Sequence, residues 1–185
     1  MSLSPDIVIN TDRCKLRITK REDISFIFSA TRYKGFNDGM LWDAPENEAE
    51  LIETYEDRVT KAWHERQSYG FTICERLSDK PLGRINIRKD SDKVWIVGFW
   101  LHPEQQGKGY MTESVKAVIK LGFEVLGAEK IAAYHALWNS KSEAVLKRVG
   151  MKFIEYIPQG FKKQDEWVEE NKLGITKEEW NRLNN

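Results

Sequence analysis

Apolar and polar residues alternate along Cys14-Lys15-Leu16-Arg17-Ile18, the two-residue period of a half-buried strand. The period then lengthens. Ile24, Ile27 and Phe28 fall on the inner side of a short helix over Asp23 to Arg32, with Asp23 placed to cap it. Gly35 to Asp43 is a loop, yet it carries Phe36, Met40 and Trp42. Pro45 suits the first turn of the next helix, whose stripe is Leu51, Ile52, Tyr55, Val59, Ala62 and Trp63. Three strand-like segments follow: Gly70 to Glu75, Leu82 to Arg88 and Val94 to Leu101. The short polar clusters Ser78-Asp79-Lys80-Pro81 and Lys89-Asp90-Ser91-Asp92 separate them and favour antiparallel pairing. From Tyr110 the pattern is helical, with Met111, Val115, Val118, Ile119, Phe123 and Leu126 on one face and Gly127 just beyond. Lys130 to Leu137 predicts a strand, Ser140 to Val149 a helix, and Phe153 to Ile157 and Trp167 to Leu173 two more strands. A last helix from Thr176 opens on a capping box, Thr176 with Glu179.

This order predicts an α/β fold. Its mixed sheet has six to seven strands, antiparallel in the first half and partly parallel in the second, flanked by helices. No repeat or Pro/Gly/Ser-rich linker interrupts the 185 residues, so 1–185 reads as a single domain. With 41% apolar and 31% charged residues, the chain has material for a real core. Seven tryptophans are many for this length, and their spacing assigns most of them to that core. Twenty-nine basic residues balance twenty-nine acidic ones, which removes any net drive toward nucleic acid or an anionic membrane. Cys14 and Cys74 lie sixty residues apart in apolar segments, a pattern of buried thiols rather than of a disulfide framework or a metal site. The N-terminus lacks the pattern of a signal peptide, and Val94 to Leu101 is too short to span a bilayer as a helix. The expected location is cytoplasmic.

Chemistry concentrates in His102-Pro103-Glu104-Gln105-Gln106-Gly107-Lys108-Gly109-Tyr110, which joins a buried strand to an amphipathic helix. Alternate glycines let the main chain curl close to a ligand, and the free amides of the helix's first turn attract an anion such as a pyrophosphate. The same residues also suit a plain glycine-rich turn that caps a helix. A Walker A loop is excluded because Lys108 lies between the glycines, and a Rossmann fingerprint because residue 112 is Thr.

The stretch Trp100-Leu101-His102-Pro103-Glu104-Gln105-Gln106-Gly107-Lys108-Gly109-Tyr110-Met111-Thr112-Glu113 resembles the acetyl-CoA signature of the GNAT N-acetyltransferases. More narrowly, it resembles the branch of Rim-type ribosomal-protein N-terminal acetyltransferases. A second block, Asn139-Ser140-Lys141-Ser142-Glu143 continuing to Lys147-Arg148-Val149-Gly150-Met151, matches that branch's N-x-x-S and its following helix. Leu16-Arg17, Asp23 and the Trp42/Pro45 region match in order, so the resemblance runs from about residue 13 to 181. It implies that the amides of Gln106, Gly107, Lys108, Gly109, Tyr110, Met111 and Thr112 hold the pyrophosphate of acetyl-CoA, the co-substrate. The main chain of Trp100, Leu101 and His102 would bond the pantetheine arm, lying as a half-strand between two splayed parallel strands. Asn139 would bond a pantetheine amide, and Lys147 or Arg148 would approach the adenosine phosphates. Glu104 departs from the Gln or Arg that many members carry there.

Transfer of an acetyl group to an amine needs a neutral amine, a stabilised oxyanion and a proton for the departing thiolate. Many members supply that proton from a Tyr seven residues after the Asn, where this chain has Leu146. The Rim-type branch implies Ser142 instead. Ser140 with Glu143 reads as the capping box of that helix, which leaves Ser142 free. The base stays open among Tyr134, His135, Glu75, Glu166, Glu169 and water, and strand alternation allows only one of Tyr134 and His135 to face the site. Phe36 and Trp42 either wall the acceptor pocket or pack in the core. The acidic run Asp165-Glu166 and Glu169-Glu170 either draws a cationic acceptor or is a solvated face. The resemblance implies an acetyl-CoA-dependent N-acetyltransferase acting directly on a peptide N-terminus or small-molecule amine, without nucleic-acid, membrane or metal partners. It leaves a homodimer open. The alternatives are a non-catalytic acyl-CoA-binding module and, against the charge balance, a ribosome- or RNA-associated protein.

Overall fold

The computed structural model describes residues 3–184. In chain order they form β1 (Val8–Asn10), β2 (Cys14–Ile18), α1 (Ile24–Thr31), α2 (Glu48–Tyr55), a π-helical turn (Glu56–Lys61), α3 (Ala62–His64), β3 (Ser68–Glu75), β4 (Pro81–Ser91) and β5 (Val94–Leu101). Then come α4 (Tyr110–Glu124), β6 (Lys130–Ala136), α5 (Ser140–Arg148), β7 (Lys152–Lys163), β8 (Glu166–Thr176) and α6 (Lys177–Asn184). One sheet of eight strands results, in the order β1-β2-β3-β4-β5-β6-β8-β7. The strand beyond the expected six to seven is β1, three residues paired with β2 from Val8↔Arg17 to Asn10↔Lys15 and too short to show a period. β4 runs through the polar cluster expected to turn, and the hairpin closes at Asp92-Lys93, with Lys93 at φ 60°. The last two strands form a far longer hairpin than their apolar residues suggested. It closes on Gln164-Asp165, both at positive φ, the two-residue turn that suits strand twist.

The middle of the sheet positions the site. β5 and β6 are parallel and in register only at Val94↔Lys130, Trp95↔Ile131 and Ile96↔Ala132. Past Ile96, β5 keeps its pairing with β4 as far as Leu101, and β6 keeps its pairing with β8 as far as Ala136. Each strand follows its antiparallel partner, and a wedge opens between them. Alternation then sorts the side chains. Trp95, Val97, Leu101, Ile131 and Ala133 share one core with Val115, Val118 and Ile119 of α4. Trp100 points to the opposite face, where it stacks on Phe26 of α1 (ring centroids 6.0 Å apart) and meets the edge of Phe36 (5.2 Å).

Asp23 does not cap α1. Its buried carboxylate accepts from Arg17 Nη1 (2.8 Å) and Nη2 (2.9 Å), from Thr72 Oγ1 (2.8 Å) and from the Lys20 amide (2.8 Å), fastening β2 and β3 to the start of α1. The capping box of α6 does form: the Thr176 amide donates to Glu179 Oε2 (3.0 Å), and the Glu179 amide donates to Thr176 Oγ1 (3.2 Å). Only Trp63, Trp95 and Trp180 are buried, whereas Trp138 is 60% and Trp167 47% exposed. These two sit past the end of β6 and near the hairpin tip, where the sheet has no covering layer. Cys14 and Cys74 are buried, and burial pushes both thiols up to about 12, far from a reactive thiolate. Among the described residues no helix is long and apolar enough to cross a membrane, and no group of three His, Cys, Asp or Glu could hold a metal ion.

Candidate active site

A cleft of about 2260 Å³ passes through the wedge from one face of the sheet to the other. One small ligand occupies ~300–1,000 Å³, so the cleft has room for two.

At its α4 end the main chain is shaped for an anion. Gly107 (φ 79°) and Gly109 (φ 82°) adopt the left-handed conformation that residues with a Cβ avoid. Gly109 is the N-cap of α4 and contributes no side-chain acceptor, so the first-turn amides stay available. The loop around them is fixed in advance. His102 is buried, and its Nδ1 accepts from the Glu104 amide (3.3 Å), which leaves Nε2–H to donate to Ser29 Oγ (3.3 Å). That side chain is a brace. Glu104 accepts from the Tyr33 hydroxyl, giving the departing residue a local partner. Lys108 turns back to Gln105 Oε1 (3.0 Å).

Arg13 and Glu113, a hundred positions apart, escape a reading of sequence windows. Arg13 Nη1 donates to the Lys108 carbonyl (2.8 Å) and its Nε to Glu113 Oε2 (2.9 Å), while Glu113 Oε1 accepts from Thr11 Oγ1 (2.5 Å) and the Arg13 amide (3.1 Å). The β1–β2 turn thereby clamps the loop. Burial disfavours the Glu113 carboxylate, but the donors Thr11 and Arg13 outweigh it and hold its pKa below the ordinary value.

Main-chain direction selects among the three residues at the end of β5. The His102 amide donates to the Leu82 carbonyl (2.9 Å). Because groups alternate in an antiparallel ladder, Trp100 also faces β4, and Leu101, Phe99 and Val97 turn their N–H and C=O toward the wedge. Across the wedge, the N-cap of α5 is Asn139, whose Oδ1 accepts from the Ser142 amide (3.1 Å). The expected Ser140–Glu143 box does not form; Glu143 pairs instead with Lys147 (2.6 Å). Asn139 therefore keeps Nδ2 free to donate to a ligand. The half-buried Ser142 hydroxyl lines the cleft and makes no hydrogen bond among the described residues. Leu146 is fully buried, so the position seven after Asn139 packs into the core and away from the cleft. Arg148 borders the cleft; Lys147 does not.

The other face is walled by side chains. Phe36 and Trp42 are half-buried cleft residues in edge contact (6.5 Å) and lie outside the core. Their segment is seated by Lys163 of β7, whose 16%-exposed side chain donates to the carbonyls of Met40 (3.0 Å) and Trp42 (2.9 Å) and pairs with Asp43 (2.7 Å). Tyr134 faces this side, with the Lys172 ammonium 5.2 Å from its ring centre. His135 shares the core face of β6, with Nδ1 2.9 Å from its partner, the Ala136 carbonyl. Glu75 accepts from Ser78, and Glu169 from Tyr156, and neither borders the cleft; nor does Glu166. Of the acidic run, Glu170 alone does.

Residues 13–152 match the family model described as acetyltransferase (GNAT) domain. YnaD of Bacillus subtilis (strain 168), named an uncharacterized N-acetyltransferase, is 30% identical over 112 residues, 60% of this chain and 66% of that one. The chain thus spans just under two thirds of this relative's length. Two solved structures share the fold. The ribosomal L7/L12 α-N-protein acetyltransferase RimL, in complex with coenzyme A, superposes with a TM-score of 0.82 at 14% identity, covering 92% of this chain and 98% of that one. The spermidine N-acetyltransferase of Vibrio cholerae, in complex with CoA and spermine, gives 0.79 at 18% identity, with 92% and 99% covered.

Proposed function

The chain belongs to the GNAT acetyltransferase family, and on that premise we propose that it is an acetyl-CoA-dependent N-acetyltransferase acting on a primary amine by direct transfer in a ternary complex. The observation that carries this reading is the wedge itself: three rungs of parallel pairing, then a gap that begins at a main-chain anion cradle and opens onto an aromatic-walled pocket. The Gln106 amide is spent on the Pro103 carbonyl (3.5 Å), and the cradle fits a pyrophosphate with the amides from Gly107 to Thr112 as donors and Arg13 and Arg148 on the rim. Leu101 and Phe99 offer main-chain groups to an extended amide-bearing arm, and Asn139 Nδ2 offers a donor from the other wall. An acyl thioester bound there supplies an activated carbonyl with a leaving group of thiol pKa about 8.5.

The chain's own residues then divide the work. Phe36 and Trp42 exclude water from the pocket. The amine lone pair attacks the carbonyl carbon while wedge-facing amides of β5 stabilise the developing negative oxygen. The free Ser142 hydroxyl gives a proton to the departing sulfur. RimL and the spermidine enzyme share the fold, so the fold alone does not select the acceptor. The N-x-x-S block resembles the Rim-type branch, and a peptide N-terminus is the first class to assay. Two buried free thiols suit a reducing cytoplasm.

The test is thiol release from acetyl-CoA with a panel of N-terminal peptides, polyamines, aminoglycosides and amino acids. We expect one class to give turnover. Ser142→Ala lowers kcat about 100-fold in that assay and keeps the acetyl-CoA-induced rise in Tm. Undiminished kcat in that variant sinks the proton-donor role. A rise in Tm with no release from any amine favours the non-catalytic acyl-CoA-binding module.

A further inference from the structure

Glu170 is a carboxylate with nothing to hold. It sits on β8 opposite Ala136 of β6 and Ile157 of β7, so its side chain shares the face of Tyr134 and the Phe36/Trp42 pocket and borders the cleft. It is half-buried, yet it makes no hydrogen bond and no ion pair among the described residues. Gly160 leaves it room, since a Cβ there would lie 2.6 Å from Glu170 Cγ. No cation on this face pairs with it. Lys172 sits over Tyr134 under the influence of Asp90 and Glu155, Lys163 is committed to the 40–43 segment and Asp43, and Arg84 and Arg88 line the same cleft from β4 without an ion pair to Glu170. Burial alone raises the Glu170 pKa above the ordinary carboxylate value. A desolvated carboxylate that no cation of its own fold pairs with is complementary to one brought by a ligand.

We propose that Glu170 binds the ammonium of the acceptor and takes its first proton, which makes the amine a nucleophile inside the cleft. The proposal rests on the acetyl-transfer reading and assigns its missing base. The carboxylate accepts one proton from R–NH3+. The freed lone pair forms the N–C bond as the C–S bond breaks, and its electron pair leaves on sulfur, which is protonated. The surplus proton on the new amide nitrogen, and the one on Glu170, return to solvent and to the sulfur donor. One ammonium and one thioester thus give one amide, one thiol and one proton. The ligand class follows: an acceptor that is cationic at neutral pH.

The experiment compares wild type, Glu170→Gln and Glu170→Asp over pH 5.5–10 with the amine found active, alongside acetyl-CoA-induced Tm shifts. In Glu170→Gln, kcat/KM falls about 100-fold at pH 7 and recovers toward wild type as pH approaches the pKa of the free amine. Glu170→Asp regains part of the loss at pH 7, and all three proteins keep the acetyl-CoA shift. A Gln variant with the wild-type rate and pH profile overturns the proposal, as does a loss that is uniform across pH. Wild type that binds acetyl-CoA and acetylates nothing refutes the parent reading instead.

Discussion

The two flanks of the cleft are built from different materials. On the α4 side the cleft presents main chain: two left-handed glycines, the first-turn amides of α4 and the wedge-facing edge of β5, all braced by Arg13, Glu113 and His102. On the opposite side it presents side chains from three separate parts of the chain: Phe36 and Trp42, Tyr134, and Glu170. Backbone recognition tolerates almost any side chain that permits the required φ, and suits a partner that never changes. Side-chain recognition can be rewritten one residue at a time without disturbing the sheet. On the acetyl-transfer reading, the first flank suits a shared co-substrate, and the second suits an acceptor particular to this protein.

Substitutions that damage one flank and spare the other test that division. The largest effect belongs to Gly109→Asp. At φ 82°, with a new Cβ 3.0 Å from Arg13 Nη2 and a carboxylate beside the amides, the cradle closes. Wild type at 100-fold Kd gains about 2.7 kcal/mol from acetyl-CoA, and we expect differential scanning fluorimetry to find none of it in the variant. Arg13→Ala removes a brace and leaves the cradle, so the KM for acetyl-CoA rises about tenfold, near 1.4 kcal/mol, while the KM for the acceptor holds. The same clamp is acid-sensitive. Because the folded pKa of Glu113 is depressed, its contribution is complete above the ordinary carboxylate value and disappears as pH falls through the lower one. Acid should thus weaken acetyl-CoA binding more in wild type than in Arg13→Ala. Smallest is Lys163→Met, which unseats the 40–43 carbonyls: steady-state kinetics should show the acceptor KM up about threefold with the acetyl-CoA shift intact. A Lys163→Met that alters acetyl-CoA binding instead would erase the boundary between the flanks.

The same division explains what could be read in advance. The glycine-rich turn and its N-cap lie in nine consecutive residues and depend on local φ and helix-terminus geometry, so they were legible. The core strands and α4 were legible from their periods. β1 was not, because three residues carry no period. The ends of β7 and β8 were not, because a hairpin solvated on both faces lacks alternation. Two caps competed at α5, and Asn139 prevails over Ser140 because its side-chain Oδ1 reaches the Ser142 amide. Glu166, Glu169 and Glu170 look alike in the sequence; only their register against β6 and β7 separates the hairpin tip, the Tyr156 partner and the cleft. Trp138 and Trp167 misled because aromatic residues at strand spacing look like core even where no layer covers the strand.

Three rungs of hydrogen bonds are also a narrow seam between β1–β5 and β6–β8. The larger block keeps its own long antiparallel ladders, and so does the smaller, so main-chain pairing between them is confined to the seam while the side chains of one core span both. Anything laid in the gap bonds to both blocks at once and welds them. Loading the protein would then do more than occupy a site: it would add main-chain bonds where the sheet has fewest.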